Sequence, residues 1–144
     1  MESSHKLIII VFGTEQYDTD APLRALAAKL KSLNVFMVSE EKGSFLMGDL
    51  NGIKVAVISD KNAESNVLER LLQKADIFGC ERIFVSTPHH NYRFNTVSEF
   101  AANNNYLRVE TSPTVVKSFD WNNSLKPFQE SLDCMFGGML YNMI

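Results

Sequence analysis

No apolar run in this 144-residue chain approaches the roughly 20 residues a membrane-spanning helix requires. The N-terminal "MESSHK" carries acid and base before a short apolar stretch, which is not the pattern of an export signal. Cysteine is scarce: Cys80 and Cys134 lack CxxC spacing, which excludes a disulfide framework and reads as two free thiols in a reducing compartment. Positive charge is not in excess either. Net charge is −3, with Lys and Arg scattered, so no basic footprint for nucleic acid or an anionic membrane is present. Neither GxGxxG nor GKS/T occurs, and there are no repeats and no low-complexity segment beyond Asn103-Asn104-Asn105. The expectation is an intracellular protein, cytoplasmic or nuclear, forming a single α/β domain over residues 1–144.

What is there alternates strand and helix, the pattern of a layered α/β fold. Leu7 to Phe12 is a continuous apolar run, as expected of a strand buried on both faces. Asp20 reads as an N-cap, and Leu23, Leu26, Leu30 and Leu33 follow at helical spacing. Val35 to Val38 is a second strand. "SFLMGDL", Asn51-Gly52 and "IKVAVISD" then give two strands joined by the strongest short hairpin signal. A helix follows on Val67, Leu68, Leu71, Leu72 and Ala75, closed by Gly79. Ile83 to Val85 begins a strand ending at Ser86-Thr87-Pro88, and Val97, Phe100 and Ala101 mark a short helix. "YLRVET" and "TVVKSF" are further strands, and a C-terminal helix starts near Ser124. The expected architecture is three layers, α/β/α, around a mixed, mainly parallel sheet containing one antiparallel hairpin.

In open α/β sheets, ligands sit beyond the carboxyl ends of the parallel strands. Those ends gather Gly13, Thr14 and Glu15; Asp60 and Lys61; and Ser86, Thr87, His89 and His90. Gly13, Thr14, Ser86 and Thr87 are candidates for a phosphate or other ligand, because a backbone amide and small hydroxyls suit an oxyanion. Equally, Gly13 serves a tight turn and Thr14 a local backbone group. Asp60 is a candidate base, metal ligand or phosphoacceptor, or a cap for the helix after it. His89 and His90 point to opposite sides of an extended segment, so one at most faces the pocket. With His5 the only other histidine, zinc lacks ligands, and no metal or cofactor is expected. The C-terminal stretch carries Met135, Phe136, Met139, Leu140, Tyr141 and Met143. That apolar, Met-rich end suits a contact with another protein chain or a second copy.

Three features resemble the purine nucleoside phosphorylase and methylthioadenosine phosphorylase family. They are the apolar strand ending in Gly13-Thr14, the hairpin "FLMGDLNGIKVAVIS", and "ADIFGCERIFVST" as helix, glycine and strand. Their order covers roughly residues 7–90. The resemblance implies phosphate contacts at Thr14 and Thr87. It also exposes departures: where the family has an Arg after the hairpin, this chain reads Ser59-Asp60-Lys61. A carboxylate at ~4 Å and an effective dielectric of ~20 repels each phosphate charge by ~4 kcal/mol instead of clamping it. Residues 91–144 match nothing of the family's second half, which supplies much of its base and ribose site.

The expectation is therefore a degenerate, non-catalytic phosphorylase-like domain (a pseudoenzyme) working as an interaction or scaffold module. One alternative is a small nucleoside- or nucleotide-processing or other hydrolytic enzyme, with Asp60 or Glu15 as base and one of the His pair as acid. Another is a receiver-like module on Asp60, Thr87 and Lys117, or a flavodoxin-like one on "FGTEQYDT". Phe12-Gly13 in place of an acidic pair and Gln16-Tyr17 in place of Thr-Gly count against those last two.

Overall fold

The computed structural model describes residues 6–13, 20–33, 36–41, 45–59, 64–88, 92–112 and 126–144. The buried apolar run forms β1 (Leu7–Gly13), which lies inside a six-stranded sheet rather than at its edge. Its neighbours are β5 (Arg82–Pro88) and β6 (Leu107–Thr111), and β5 is flanked in turn by β4 (Ile53–Ile58). All three of these pairings are parallel. β3 (Phe45–Leu50) runs antiparallel both to β4 and to β2 (Phe36–Glu41), giving the order β2-β3-β4-β5-β1-β6. The sheet is thus mixed and mainly parallel, and the hairpin sits where Asn51-Gly52 placed it. Leu50 pairs with Ile53, and the two turn residues take positive φ, 53° and 89°, as a type I′ turn requires. The Gly52 amide donates to Asp49 Oδ1 at 2.8 Å, which closes the turn from its own strand.

Alternation along β1 splits the core in two. Ile8 and Ile10 join Ile83 and Val85 under α2 (Ser65–Phe78) and α3 (Tyr92–Asn103). Ile9 and Val11 join Phe84, Val55 and Val57 under α1 (Asp20–Ser32) and α4 (Lys126–Tyr141). Two helices therefore cover each face, which is the expected three-layer arrangement. Gly79 ends α2 in the left-handed region at φ 89°, and the Gly79 and Cys80 amides return to the Asp76 and Ala75 carbonyls. Leu33 falls just past the end of α1 and is exposed, so the expected leucine stripe stops at Leu30. α3 is longer than its three apolar markers suggested, starting at Tyr92. The expected strand "TVVKSF" lies outside the described residues, as do Val35 and Ser124.

α4 lies directly on α1, and one glycine allows it. A Cβ on Gly137 would sit 2.9 Å from Ala25 Cβ, 3.1 Å from the Pro22 carbonyl oxygen and 3.2 Å from the Leu26 nitrogen. Two of those three atoms are backbone and cannot swing away. Below this contact Leu140 is fully buried, with Phe136, Tyr141, Met143 and Ile144 packed on the same core. Arg82 Nε donates to the Met143 carbonyl at 3.1 Å and ties the last turn to the start of β5.

At the opposite, amino end of the strands, Tyr106 lies in the core with its hydroxyl 2.8 Å from the Cys80 carbonyl and 3.2 Å from Asp76 Oδ1. Lys6 Nζ stands 4.4 Å from the centre of the Tyr106 ring and 3.5 Å from the same carboxylate. Burial pushes the Cys80 thiol up from 9.0 to about 12, with Lys54 opposing and Asp76 assisting. Burial and Asp76 likewise raise the Tyr106 hydroxyl.

Two predictions follow from this packing. Gly137→Ala lowers stability by about 1–3 kcal/mol, because α4 must lift off α1. Gly138→Ala, with open space around its Cβ, raises stability by about 0.5–1 kcal/mol. Urea midpoints with unchanged slopes check the opposite signs. The second concerns alkaline pH. Groups held protonated in the fold stabilise fully below their unfolded pKa and lose that contribution as pH rises toward the folded one. Stability is therefore expected to fall as pH climbs from 9 toward 12, and Cys80→Ala removes up to about 1.4 kcal/mol per pH unit of that slope.

Candidate functional site

The β1–β5 ladder carries the two strands to a common carboxyl edge, with Val11 opposite Ser86, Phe12 opposite Thr87 and Gly13 opposite Pro88. The helix after β1 goes to one face of the sheet and the helix after β5 goes to the other. Adjacent parallel strands whose connections diverge in this way leave a crevice between their ends, the position where open α/β sheets hold ligands. Of the residues expected there, Gly13, Ser86 and Thr87 are described, and the ladder does bring them together. Thr14, Glu15, Asp60, Lys61, His89, His90 and Lys117 lie outside the described residues.

Ser86 and Thr87 are not open strand-tip residues. Pairing continues through Pro88, so both are the last interior positions of β5, and both are fully buried. Their side chains alternate to opposite faces. The Ser86 hydroxyl donates to the Asp20 carboxylate (Oδ1) at the start of α1, and Asp20 is only 7% exposed. On the other face Arg93, 1% exposed, extends from the first turn of α3 and donates through Nη2 to the Ser86 carbonyl at 3.0 Å. Thr87 Oγ1 is buried and makes no hydrogen bond. An orphaned buried hydroxyl costs about 1–3 kcal/mol, so its retention calls for an explanation such as a bound water, an ion or a ligand.

The two charged residues obey different local rules. Asp20 at the first position of α1 complements the helix dipole, so the helix itself favours it there. Arg93 at the second position of α3 opposes the dipole by about 0.3–1 kcal/mol. Its place is set by the bond to β5, not by helix preference. Neither residue was a site candidate from sequence, yet each sits on an apolar stripe extended one turn back. Positions 93, 97, 100 and 101 share one face of α3, and positions 20, 23, 26 and 30 share one face of α1. A charge on a core stripe was the available signal.

The C-terminal candidates divide. Leu140 is committed to this chain's own core, and Phe136, Tyr141 and Met143 are half-buried against it. Met135 and Met139 remain outside, 70% and 43% exposed, one helical turn apart. A shallow groove of about 150 Å³ between α2 and α3, lined by Glu69, Gln73, Thr96 and Glu99 among others, shares no residue with the crevice. Among the described residues, no three His, Cys, Asp or Glu side chains come together as a metal site, and both cysteines are free. No described helix is long and apolar enough to cross a membrane.

Comparison of the chain with protein-family models, with curated proteins and with solved structures finds no match.

The buried pair of hydroxyls makes opposite stability predictions. Thr87→Val keeps the shape, removes the orphaned oxygen and raises stability by about 1 kcal/mol. Ser86→Ala removes a donor from the buried Asp20 and lowers stability by about 1–3 kcal/mol. Denaturant titration of both variants beside the parent chain checks the pair.

Proposed function

We propose that this protein is a ligand-binding domain of nucleoside phosphorylase-like architecture that does not carry out phosphorolysis, with its site in the crevice between β1 and β5. One observation carries the reading: Thr87 holds a fully buried hydroxyl without a partner at the carboxyl edge where β1 and β5 diverge. A fold selected only for stability would replace that hydroxyl with a methyl group at a gain of about 1 kcal/mol. The resemblance of residues 7–90 points to phosphate or a purine nucleoside as the partner it awaits.

The absence of catalysis rests on the sequence after the hairpin, Ser59-Asp60-Lys61, where an arginine clamp for the phosphate is missing. Arg93, buried beside the strand end, donates through Nη2 to the Ser86 carbonyl. The surface left for the interaction reading is the exposed pair Met135 and Met139, since Leu140 is wholly enclosed in this chain's own core.

The test is a thermal-shift panel of phosphate, purine nucleosides and methylthioadenosine. A ligand at 100 times its Kd adds about 2.7 kcal/mol, which raises Tm by roughly 5–10 °C at 2–4 °C per kcal/mol. The reading predicts such a rise with at least one of them, its loss in Thr87→Val, and no free base released from inosine and phosphate. Silence across the panel, or a rise that survives Thr87→Val, contradicts the site. Release of free base contradicts the absence of catalysis.

A further inference from the structure

Two helices begin beside the crevice, on opposite faces of a six-stranded sheet, and one residue between them touches both. Ser86 uses its side chain for α1, donating its hydroxyl to Asp20, and its backbone for α3, accepting from Arg93 at 3.0 Å. All three residues are buried, so water does not compete for either bond. α1 packs on α4 and α3 packs on α2, each pair on its own core, with the sheet in between.

We propose that Ser86 is a positioning residue that holds the two walls of the crevice in register across the sheet, so that disturbing one helix start disturbs the other. The proposal rests on the reading of this edge as a ligand site for its purpose, but not for its test, which needs no ligand. Ser86 is suited to the task in two respects. Its neighbour Thr87 carries the unpartnered hydroxyl, and any shift of the 86–87 peptide moves that oxygen directly. A valine or alanine at position 86 would pack equally well in a strand but would leave Asp20 without this donor and remove this polar tie between α1 and β5. The device keeps Thr87 Oγ1 at a fixed place by clamping the strand end from above and below.

Amide hydrogen exchange on the full chain reads the coupling. The amides of Arg24 to Ala28 report the opening turns of α1, those of Thr96 to Phe100 report α3, and Leu71 to Ala75 in α2 serve as the reference. In Ser86→Ala, exchange is expected to quicken at least tenfold in both the α1 and α3 sets relative to α2, and Ser86→Thr, which keeps the hydroxyl, restores slow exchange. Asp20→Ala, which removes the acceptor, provides the second variant should Ser86→Ala not fold. There too, exchange is expected to quicken in the α1 and α3 sets while α2 stays unchanged. Change confined to α1 in either variant reduces Ser86 to a simple anchor for that helix and overturns the proposal. Equal acceleration in α2 also overturns it, since that is global loss of stability.

Discussion

The parallel ladder between β1 and β5 is the constraint on which the rest of this structure depends. It joins the first strand of the chain to one much later in the sequence, with Leu7 paired to Arg82, and its two strands contribute residues to both apolar clusters. Both strands are covered on both faces and their side chains are mostly apolar; Arg82 opens β5 at the amino end, and the fully buried polar exceptions fall at the carboxyl end. Ser86 and Thr87 are polar residues in positions where valine would pack. The fold tolerates the first by bonding it to Asp20, and it leaves the second unbonded.

From that edge the architecture follows two routes. One passes through α1 and its contact with α4, which depends on the missing side chain at Gly137 and buries Leu140 beneath it. The other passes through α3, whose first turn holds Arg93 against the dipole of its own helix and bonded to a strand carbonyl. The amino end of the sheet shows no such tension: Tyr106, Cys80, Asp76 and Lys6 satisfy one another in a tight cluster. The carboxyl edge differs in burying one hydroxyl, Thr87 Oγ1, without a partner.

Much of the layout was legible in the sequence for reasons that are local. Asn51-Gly52 can close a hairpin without help from the rest of the chain, and Gly79 can end a helix in the same way. The leucine spacing of α1 declares its buried face, although not where the helix stops. What escaped were properties that only pairing creates. Ser86 and Thr87 looked like residues of an open strand tip, but the register with β1 continues to Pro88 and encloses them. Asp20 looked like a cap because capping is what an aspartate before a leucine stripe does alone; its bond to Ser86 spans 66 positions. Arg93 gave a signal, a charge on the face of Val97 and Phe100, that makes sense only once that face is known to be covered. The C-terminal methionines and aromatics pointed outward by composition, and Gly137, which turns most of that segment inward, carries no apolar signal at all.

The central claim is that the β1–β5 crevice takes a small ligand at Thr87. Its most direct test is the amide NMR spectrum of the uniformly labelled chain, titrated with inorganic phosphate and with inosine. The account predicts saturable shifts centred on Gly13, Ser86 and Thr87 and fading along both strands toward Leu7 and Arg82. Shifts centred instead on the α2–α3 groove around Gln73 and Thr96, or no shifts at any concentration, would contradict it.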